Sequence, residues 1–349
     1  MVKKILHVLY NDKFINPFID FIKDNQIEGE HIFLYFGGSS KEDFPYAKYK
    51  NVYVFDYEKS RLDRVKYSLK FFHQADQIIL HSLINPYLVR FLYLQPWLLK
   101  KCYWVMWGAD LYYHTMAEKN EIYYIREKWR KKVIGNMAGL ITYIKGDYEL
   151  AKQWYGVKGK YYECFMYPSN LYKEYNVKEN EHEEINILLG NSADPTNNHI
   201  EMLKNLEQYK DENIKIWVPL SYGDQEHAKN VIKKGNEIFG EKFQPLTTFM
   251  PFNEYLEFLG KIDIAIFAHK RQQAMGNTIT LLGLGKKVYL DSTTVQWDFF
   301  DKHKVEVFNI NEIELKKLSI PSKHKNQEKI EQLFSKESLI SGLKEIFDV

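Results

Sequence analysis

Short apolar runs bounded by turn residues predict strands at Ile5–Tyr10, His31–Phe36, Val52–Phe55, Gln77–His81, Tyr103–Trp107, Gly139–Tyr143 and Tyr161–Cys164. Between them, apolar positions at helical spacing predict helices over Phe14–Lys23, Arg61–Phe72, Tyr87–Leu94 and Ile122–Asn136. That alternation argues for a parallel sheet with helices on both faces. A polar stretch of weak periodicity, Tyr167 to Glu184, interrupts it. The alternation then resumes, with strands at Ile185–Gly190, Ile214–Pro219, Thr247–Phe249, Ile262–Phe267, Lys287–Leu290 and Val305–Phe308. Helices are predicted over His199–Tyr209, Asp224–Phe239, Phe252–Gly260 and Thr278–Gly283. The expected fold is therefore α/β, two successive doubly wound domains with a cleft between them. Their boundaries read as residues 1–170, a linker over 171–184, and residues 185–325. An amphipathic C-terminal helix over 326–349 is expected to brace the first domain.

Length and composition agree with two ordinary globular domains. Aromatic residues reach 16%, mostly tyrosine and phenylalanine. Sugar sites use aromatic faces, but a chain rich in Tyr, Lys, Asn and Ile also reflects an AT-rich genome. Cys102 and Cys164 lie far apart with no metal-ligand spacing, which points to a reducing cytoplasm. No uncharged apolar stretch is long enough to span a bilayer. Charge is uneven: residues 1–170 hold 25 basic and 18 acidic residues and the remainder 23 and 28, which suggests different partners for the two halves.

Candidate chemistry gathers in loops that follow strands, where open α/β sheets bind ligands. In Trp107-Gly108-Ala109-Asp110 the carboxylate is a candidate general base for an attacking hydroxyl, or else the cap of the next helix. The long loop from Gly190 to His199 offers Asn191, Ser192, Asp194 and His199, with the amides of a helix start, as an anion or ligand site. Arg271, Gln272, Gln273, Gly276, Asn277 and Thr278 precede or open another helix. There the guanidinium fork suits a phosphate and the glycine permits close approach, although a solvated basic turn would look the same. Asn11 and Asp12 follow the first strand, and His81 follows another and is a second candidate base. The Walker pattern, the six-residue glycine fingerprint and a DxD-type pair are all absent, so neither a metal nor a cofactor beyond the donor is expected. Tyr87–Trp104 mixes apolar, aromatic and basic residues, which suits either a core segment or one lying at a membrane interface.

The blocks HSLINPYL with Asn85-Pro86, WGADLY, LLGNSADPTNNHI, VPLSYGD and RQQAMG occur in order between His7 and Trp297. In order and spacing they resemble the glycosyltransferase family of enterobacterial common antigen. Its members move 4-acetamido-4,6-dideoxygalactose from a TDP donor to lipid II, a polyprenyl-linked glycan. The resemblance implies the GT-B architecture, two Rossmann-like domains with the acceptor in the first and the nucleotide-sugar in the second. It also places Tyr222 near the nucleotide, Arg271, Gln272, Gln273 and Gly276 at the diphosphate, and Asp110 on the family's aspartate. The chain departs from the family at Ala274, where a second glycine is usual, and at Asn277, an apparent insertion.

The implied partners are a TDP-sugar, a polyprenyl-linked acceptor and the cytoplasmic face of the membrane, touched peripherally, with no nucleic acid. The expected mechanism has Arg271 and the Gly276–Thr278 backbone stabilise the leaving diphosphate while Asp110 takes the acceptor's proton. Two rival readings are a nucleotide-sugar 2-epimerase, which needs no acceptor, and a non-catalytic sensor or scaffold, which binds nucleotide without consuming a donor.

Overall fold

Each apolar run predicted in the first half becomes a strand of one parallel sheet. The computed structural model describes residues 2–55, 60–173 and 182–348. In chain order the first elements are β1 (Lys4–Asn11), α1 (Ile15–Asp24), β2 (Glu30–Gly38), β3 (Val52–Val54), α2 (Arg61–Gln74), β4 (Gln77–His81) and α3 (Pro86–Tyr93). There follow β5 (Cys102–Val105), α4 (Ala109–Met116), α5 (Glu121–Ile134), β6 (Gly139–Ile141), α6 (Lys145–Tyr155) and β7 (Lys160–Tyr162). The strand order is β3-β2-β1-β4-β5-β6-β7, parallel throughout.

The second sheet is built in the same way from β8 (Ile185–Leu189), α7 (His199–Leu206), β9 (Ile214–Pro219), α8 (Gln225–Phe239), β10 (Phe243–Leu246) and α9 (Phe252–Gly260). It continues with β11 (Ile264–Phe267), α10 (Met275–Gly283), β12 (Lys287–Leu290), α11 (Val295–Lys302) and β13 (Phe308–Asn309). Its order, β10-β9-β8-β11-β12-β13, repeats the winding of the first sheet. In both, the central strands are buried on both faces, so β4, β11 and β12 are buried at every residue and show no alternation. Winding reverses between β1 and β4 in one sheet and between β8 and β11 in the other, and the loops leaving those strands part to open a crevice.

The chain divides after Leu171. Unit 2 runs from Tyr172 to Ser335, and unit 1 takes back the stretch from Lys336 onward. Of the linker expected over 171–184, residues 174–181 lie outside the described residues. The single C-terminal helix expected over 326–349 is instead two helices that go to different units. Helix α12 (Ile320–Leu333) packs on α10, where Gln327 Nε2 donates to Gly283 O at 3.1 Å. It is anchored by Asn326, fully buried, whose amide exchanges hydrogen bonds with the Glu306 backbone at 2.7 and 2.8 Å. Helix α13 (Lys336–Phe347) buries Leu339, Leu343, Ile346 and Phe347 in unit 1, and its last carbonyls accept from Gln77 Nε2 and Lys3 Nζ, both at 2.8 Å.

One further expectation is corrected. The strand expected at Thr247–Phe249 lies earlier, at Phe243–Leu246, and Phe249 is exposed. β10 pairs only with β9, and an edge strand tolerates Pro245, which the pattern reads as a break. In Tyr87–Trp104 most apolar side chains, among them Leu88, Leu92, Leu98 and Trp104, are core, while Tyr87, Leu94 and Trp97 face outward. The Asn85-Pro86 pair of the HSLINPYL block starts α3: Asn85 Oδ1 accepts from Tyr87 N at 2.9 Å, and Pro86 fills a position whose N–H would have no helical partner.

Candidate functional site

At the reversal point of unit 1, Asn11 is buried, and its amide donates to the carbonyls of Ser39 at 3.0 Å and Phe44 at 2.9 Å. It holds the following loop and does not present itself to a substrate. Asp12 is half-buried one residue on. Burial raises its carboxyl above the ordinary value, outweighing the pull of the Lys13 charge and of the Lys13 and Phe14 amides.

The loop after β5 turns at Gly108, whose φ of 81° is strained for any side chain. Asp110 is fully buried. Its Oδ2 accepts from Leu83 N at 2.9 Å and Trp104 Nε1 at 2.7 Å, and its Oδ1 from Trp107 N at 2.9 Å and Leu111 N at 3.1 Å. Arg130, itself buried, donates to the carbonyls of both Leu83 and Asp110 and pairs with Glu127 at 3.0 Å. The carboxylate thus ties the β4 and β5 loops together. The helix cap is Gly108, so Asp110 is neither that cap nor a group open to an acceptor, and the geometry is that of a positioning residue.

His81 is buried too, 3.1 Å from His7 and 2.7 Å from the Tyr167 hydroxyl. Burial pushes its imidazole down to about 3, so it is uncharged at neutral pH. Trp107, the partly exposed member of this group, donates its indole N–H to the same Tyr167 hydroxyl at 2.7 Å. Tyr10, Phe14 and Tyr167 surround Trp107 at 6.0 to 6.2 Å, each close to perpendicular. The charge of Asp12 is felt at Tyr167, which places the carboxyl beside this aromatic cluster.

Unit 2 brings together more of the expected residues. Gly190, at φ 72°, is required after β8, since a Cβ there would lie 2.5 Å from His199 Nε2. Asp194 Oδ1 accepts from Thr196 N at 2.9 Å and from its hydroxyl at 2.6 Å. The same hydroxyl lies 3.0 Å from Gln273 Oε1, Gln273 Nε2 donates to Asn191 Oδ1 at 3.3 Å, and Asn191 Nδ2 donates to the Tyr222 hydroxyl at 3.4 Å. One network therefore joins Asp194, Gln273, Asn191 and Tyr222 across three βα loops. A parallel bridge between Ala193 and Gly223 fastens two of those loops.

Arg271 is close enough for its charge to act on Asp194 and His269. Burial alone would raise the Asp194 carboxyl, but the Thr196 bonds and the charge of Arg271 hold it below its ordinary value. Gln272 and Gly276 are partly exposed beside Arg271, and the Gln272 carbonyl accepts from Arg271 Nη1 at 3.2 Å. Helix α10 starts at Met275, earlier than expected, and no side chain caps it. Its first amides, at Gly276 and Asn277 among others, are ready to meet an anion. Asn277 Nδ2 donates to the Tyr255 hydroxyl at 3.1 Å.

Three expected residues face inward. His199 is fully buried behind the loop, its Nδ1 3.2 Å from His227. Ser192 is buried with its hydroxyl 3.4 Å from Asn197 Nδ2. Thr278 is fully buried, donating to Ala274 O at 3.1 Å and accepting from Gln296 Nε2 at 3.2 Å. Sequence reasoning passed over Asn197, whose Oδ1 accepts from Asn191 N at 2.9 Å and His269 Nε2 at 2.8 Å, and so sets the loop. Only its place among several polar neighbours pointed to it. Tyr167 and His7 were also passed over, one inside the polar stretch and the other inside a strand.

Ala274 has φ 55°, the left-handed region that favours glycine, so its departure from the family pattern keeps the backbone of a glycine. Ala274→Gly is expected to raise stability by about 0.5 kcal/mol through relief of that conformation. Thermal denaturation checks it, and a lowered midpoint would show that the methyl contributes packing.

Solved structures share this architecture over nearly the whole chain. Sucrose-phosphate synthase from Thermosynechococcus elongatus matches with a TM-score of 0.71 at 9% identity, covering 99% of this chain and 98% of that one. WaaG, a glycosyltransferase involved in lipopolysaccharide biosynthesis, matches at 0.62 and 11%, covering 99% and 98%. Anabaena HepE, in complex with UDP and glucose, matches at 0.62 and 12%, covering 99% and 95%. At such identities the likeness establishes the fold, which is GT-B. The family model of the 4-alpha-L-fucosyltransferases, glycosyl transferase group 56, matches residues 3–334, and the chain belongs to that family of nucleotide-sugar glycosyltransferases.

Proposed function

We propose that the chain transfers an acetamido-dideoxy sugar such as 4-acetamido-4,6-dideoxygalactose from a TDP donor to a polyprenyl-diphosphate-linked glycan of the cell surface. The observation that carries the donor side is the network of Asn191, Asp194, Tyr222 and Gln273 beside Arg271 and the uncapped start of α10. A guanidinium and a helix N-terminus together oppose the charge that develops on a leaving diphosphate. The polar side chains of the network supply donors and acceptors for the sugar and nucleoside. UDP and glucose in the HepE structure are ligands of the same chemical class.

On the acceptor side the proton goes to Asp12, not to Asp110. Asp12 is reachable, and burial makes it a stronger base than an ordinary carboxylate, whereas Asp110 spends its oxygens on four N–H donors. Trp107, with Tyr10 and Phe14, offers an aromatic face to the acceptor sugar.

Work on a polyprenyl-linked substrate places the protein on the cytoplasmic face of the membrane. No described helix is long and apolar enough to cross a membrane, so the association is peripheral in this reading. Supporting it, α3 packs against α5, and the two expose Tyr87, Ile122, Tyr124 and Ile125 around Arg126. Arg126 lines a cavity of about 40 Å³ there, and among the described residues its side chain has no hydrogen-bond or ion-pair partner. Apolar side chains flanking an unpaired cation suit an anionic lipid surface.

The test incubates purified protein with TDP-, UDP- and GDP-sugars, with and without lipid-linked acceptor in anionic vesicles, and assays released nucleoside diphosphate. Release that requires acceptor is expected, with Arg271→Ala lowering kcat/KM about 100-fold or more. Conversion of donor without acceptor would favour the epimerase. Binding without consumption would favour the sensor. Failure to co-sediment with the vesicles would overturn the membrane reading alone.

A further inference from the structure

Three histidines run diagonally across one face of the unit 1 sheet. His31 stands opposite Ile5 near the start of β1, His7 lies two residues further along β1, and His81 stands opposite Leu9 at the end of β4. All three are buried. They are linked end to end: His31 Nε2 to Glu28 O at 3.0 Å, His31 Nδ1 to His7 Nε2 at 2.9 Å, His7 Nδ1 to His81 Nε2 at 3.1 Å, and His81 Nδ1 to the Tyr167 hydroxyl at 2.7 Å. Trp107 Nε1 closes the series on the Tyr167 oxygen at 2.7 Å.

The two ends fix every proton between them. A backbone carbonyl only accepts, so His31 carries its hydrogen on Nε2 and accepts at Nδ1. His7 must then donate from Nε2 and accept at Nδ1, and His81 likewise. Tyr167 donates into His81, which leaves its oxygen free to accept from the indole N–H, a group that only donates. One arrangement satisfies all five bonds, with each imidazole neutral and in the same tautomer. A second proton on His31 or His7, with the other rings unchanged, would set an N–H against an N–H. Burial lowers the basicity of His7, His31 and His81, which keeps the arrangement intact near neutrality.

We propose that His31, His7 and His81 are positioning residues, whose ordered chain fixes the Tyr167 hydroxyl and through it the orientation of Trp107 toward the acceptor sugar. This rests on the reading of unit 1 as the acceptor-binding half. The rings are otherwise packed by aromatic side chains: α1 presents Phe18, β2 presents Phe33 and α13 presents Phe347, and the Ile27 backbone joins that of Glu28 at the His31 end. Among the described residues no carboxylate bonds to any of the three rings. The charged or titratable groups near the chain, Asp12, Asp110 and Cys164, all act at its Tyr167 end. Trp107 therefore takes its orientation from a chain whose far end lies at the opposite edge of the strands.

The experiment breaks that far end. His31→Leu removes both bonds of the last ring, whereas His31→Gln keeps an acceptor for His7 and a donor for Glu28. With folding verified by circular dichroism, His31→Leu is expected to raise the acceptor KM about 5- to 10-fold, with donor affinity unchanged and His31→Gln near wild type. Tyr167→Phe, which keeps the ring and deletes the hydroxyl, should match the leucine variant. An unchanged acceptor KM in folded His31→Leu and Tyr167→Phe would overturn the proposal. Nitrogen-15 spectra of the wild-type imidazoles need no substrate, and His7 protonated on Nδ1 would overturn the chain even in an active transferase. Intact tautomers in a protein that transfers to no acceptor would instead overturn the acceptor reading on which the positioning role depends.

Discussion

Asp110→Asn is expected to destabilise unit 1 by about 3 kcal/mol or more, with loss of activity following from loss of structure. The carboxylate takes two N–H donors on each oxygen: Leu83 and Trp104 on one, Trp107 and Leu111 on the other. Asparagine has the same shape, yet its NH₂ must replace one of those oxygens and confront two donors. Asp110 itself is fully buried and three of the four bonds are buried with it, so water can do little to compensate. Arg130 adds to the dependence, because its bonds to the Leu83 and Asp110 carbonyls assume that the two loops already lie together. Urea denaturation read from the unit 1 tryptophans checks this. A variant of wild-type stability with strongly reduced turnover and normal donor affinity would restore Asp110 as the base and displace Asp12.

The second large effect is on acid. Burial holds His81, His199 and His269 down to about 3, and His7 well below its ordinary 6.5. In the unfolded chain each regains a value near 6.5. The unfolded state therefore binds protons that the folded state refuses once the pH falls below 6.5. Stability present above that value is lost progressively on the way down toward about 3. At pH 5.5 each such histidine costs about 1.4 kcal/mol, so His7 with His81, and His199 with His269, each remove about 3 kcal/mol from their unit. Carboxylates titrate mainly below this window, so a decline from pH 7.5 to 5.5 reports the histidines. Denaturation at the two pH values should show it in both units, and His269→Gln should halve the loss in unit 2. A flat profile would mean that the rings keep access to a proton after all.

Much of this was legible in the chain because the central strands are covered on both sides. Gln77–His81 and Lys287–Leu290, buried at every residue, coincide with expectation to the residue, as does Ile214–Pro219, where burial alternates over the first four positions. At the edge, where one ladder is missing, the signal failed and β10 was placed too late. Helix α4 was anticipated only as whatever follows Asp110, and the break between α12 and α13 was not seen, since Phe334–Ser335 interrupts a pattern that stays amphipathic through it. The site loops could be found because they follow strands. The direction of their side chains could not. His81 depends on His7 and Tyr167, 74 and 86 positions away, and no local spacing encodes such partners. Asp110, His199 and Thr278 carry the residue types of a site, yet they serve it from beneath.

The return of α13 to unit 1 also sets an order of manufacture. On the ribosome β1 to β7 emerge first, but the helix that covers His7 and His31 with Phe347 follows only after all of unit 2. At about 5–20 residues per second, the Tyr172–Ser335 stretch takes roughly 10–30 s to make. Throughout that interval an apolar groove on the nascent first sheet stays open to water and to other chains. Unit 2, continuous in sequence, meets no such delay. Of the two units, the one made first is the one completed last.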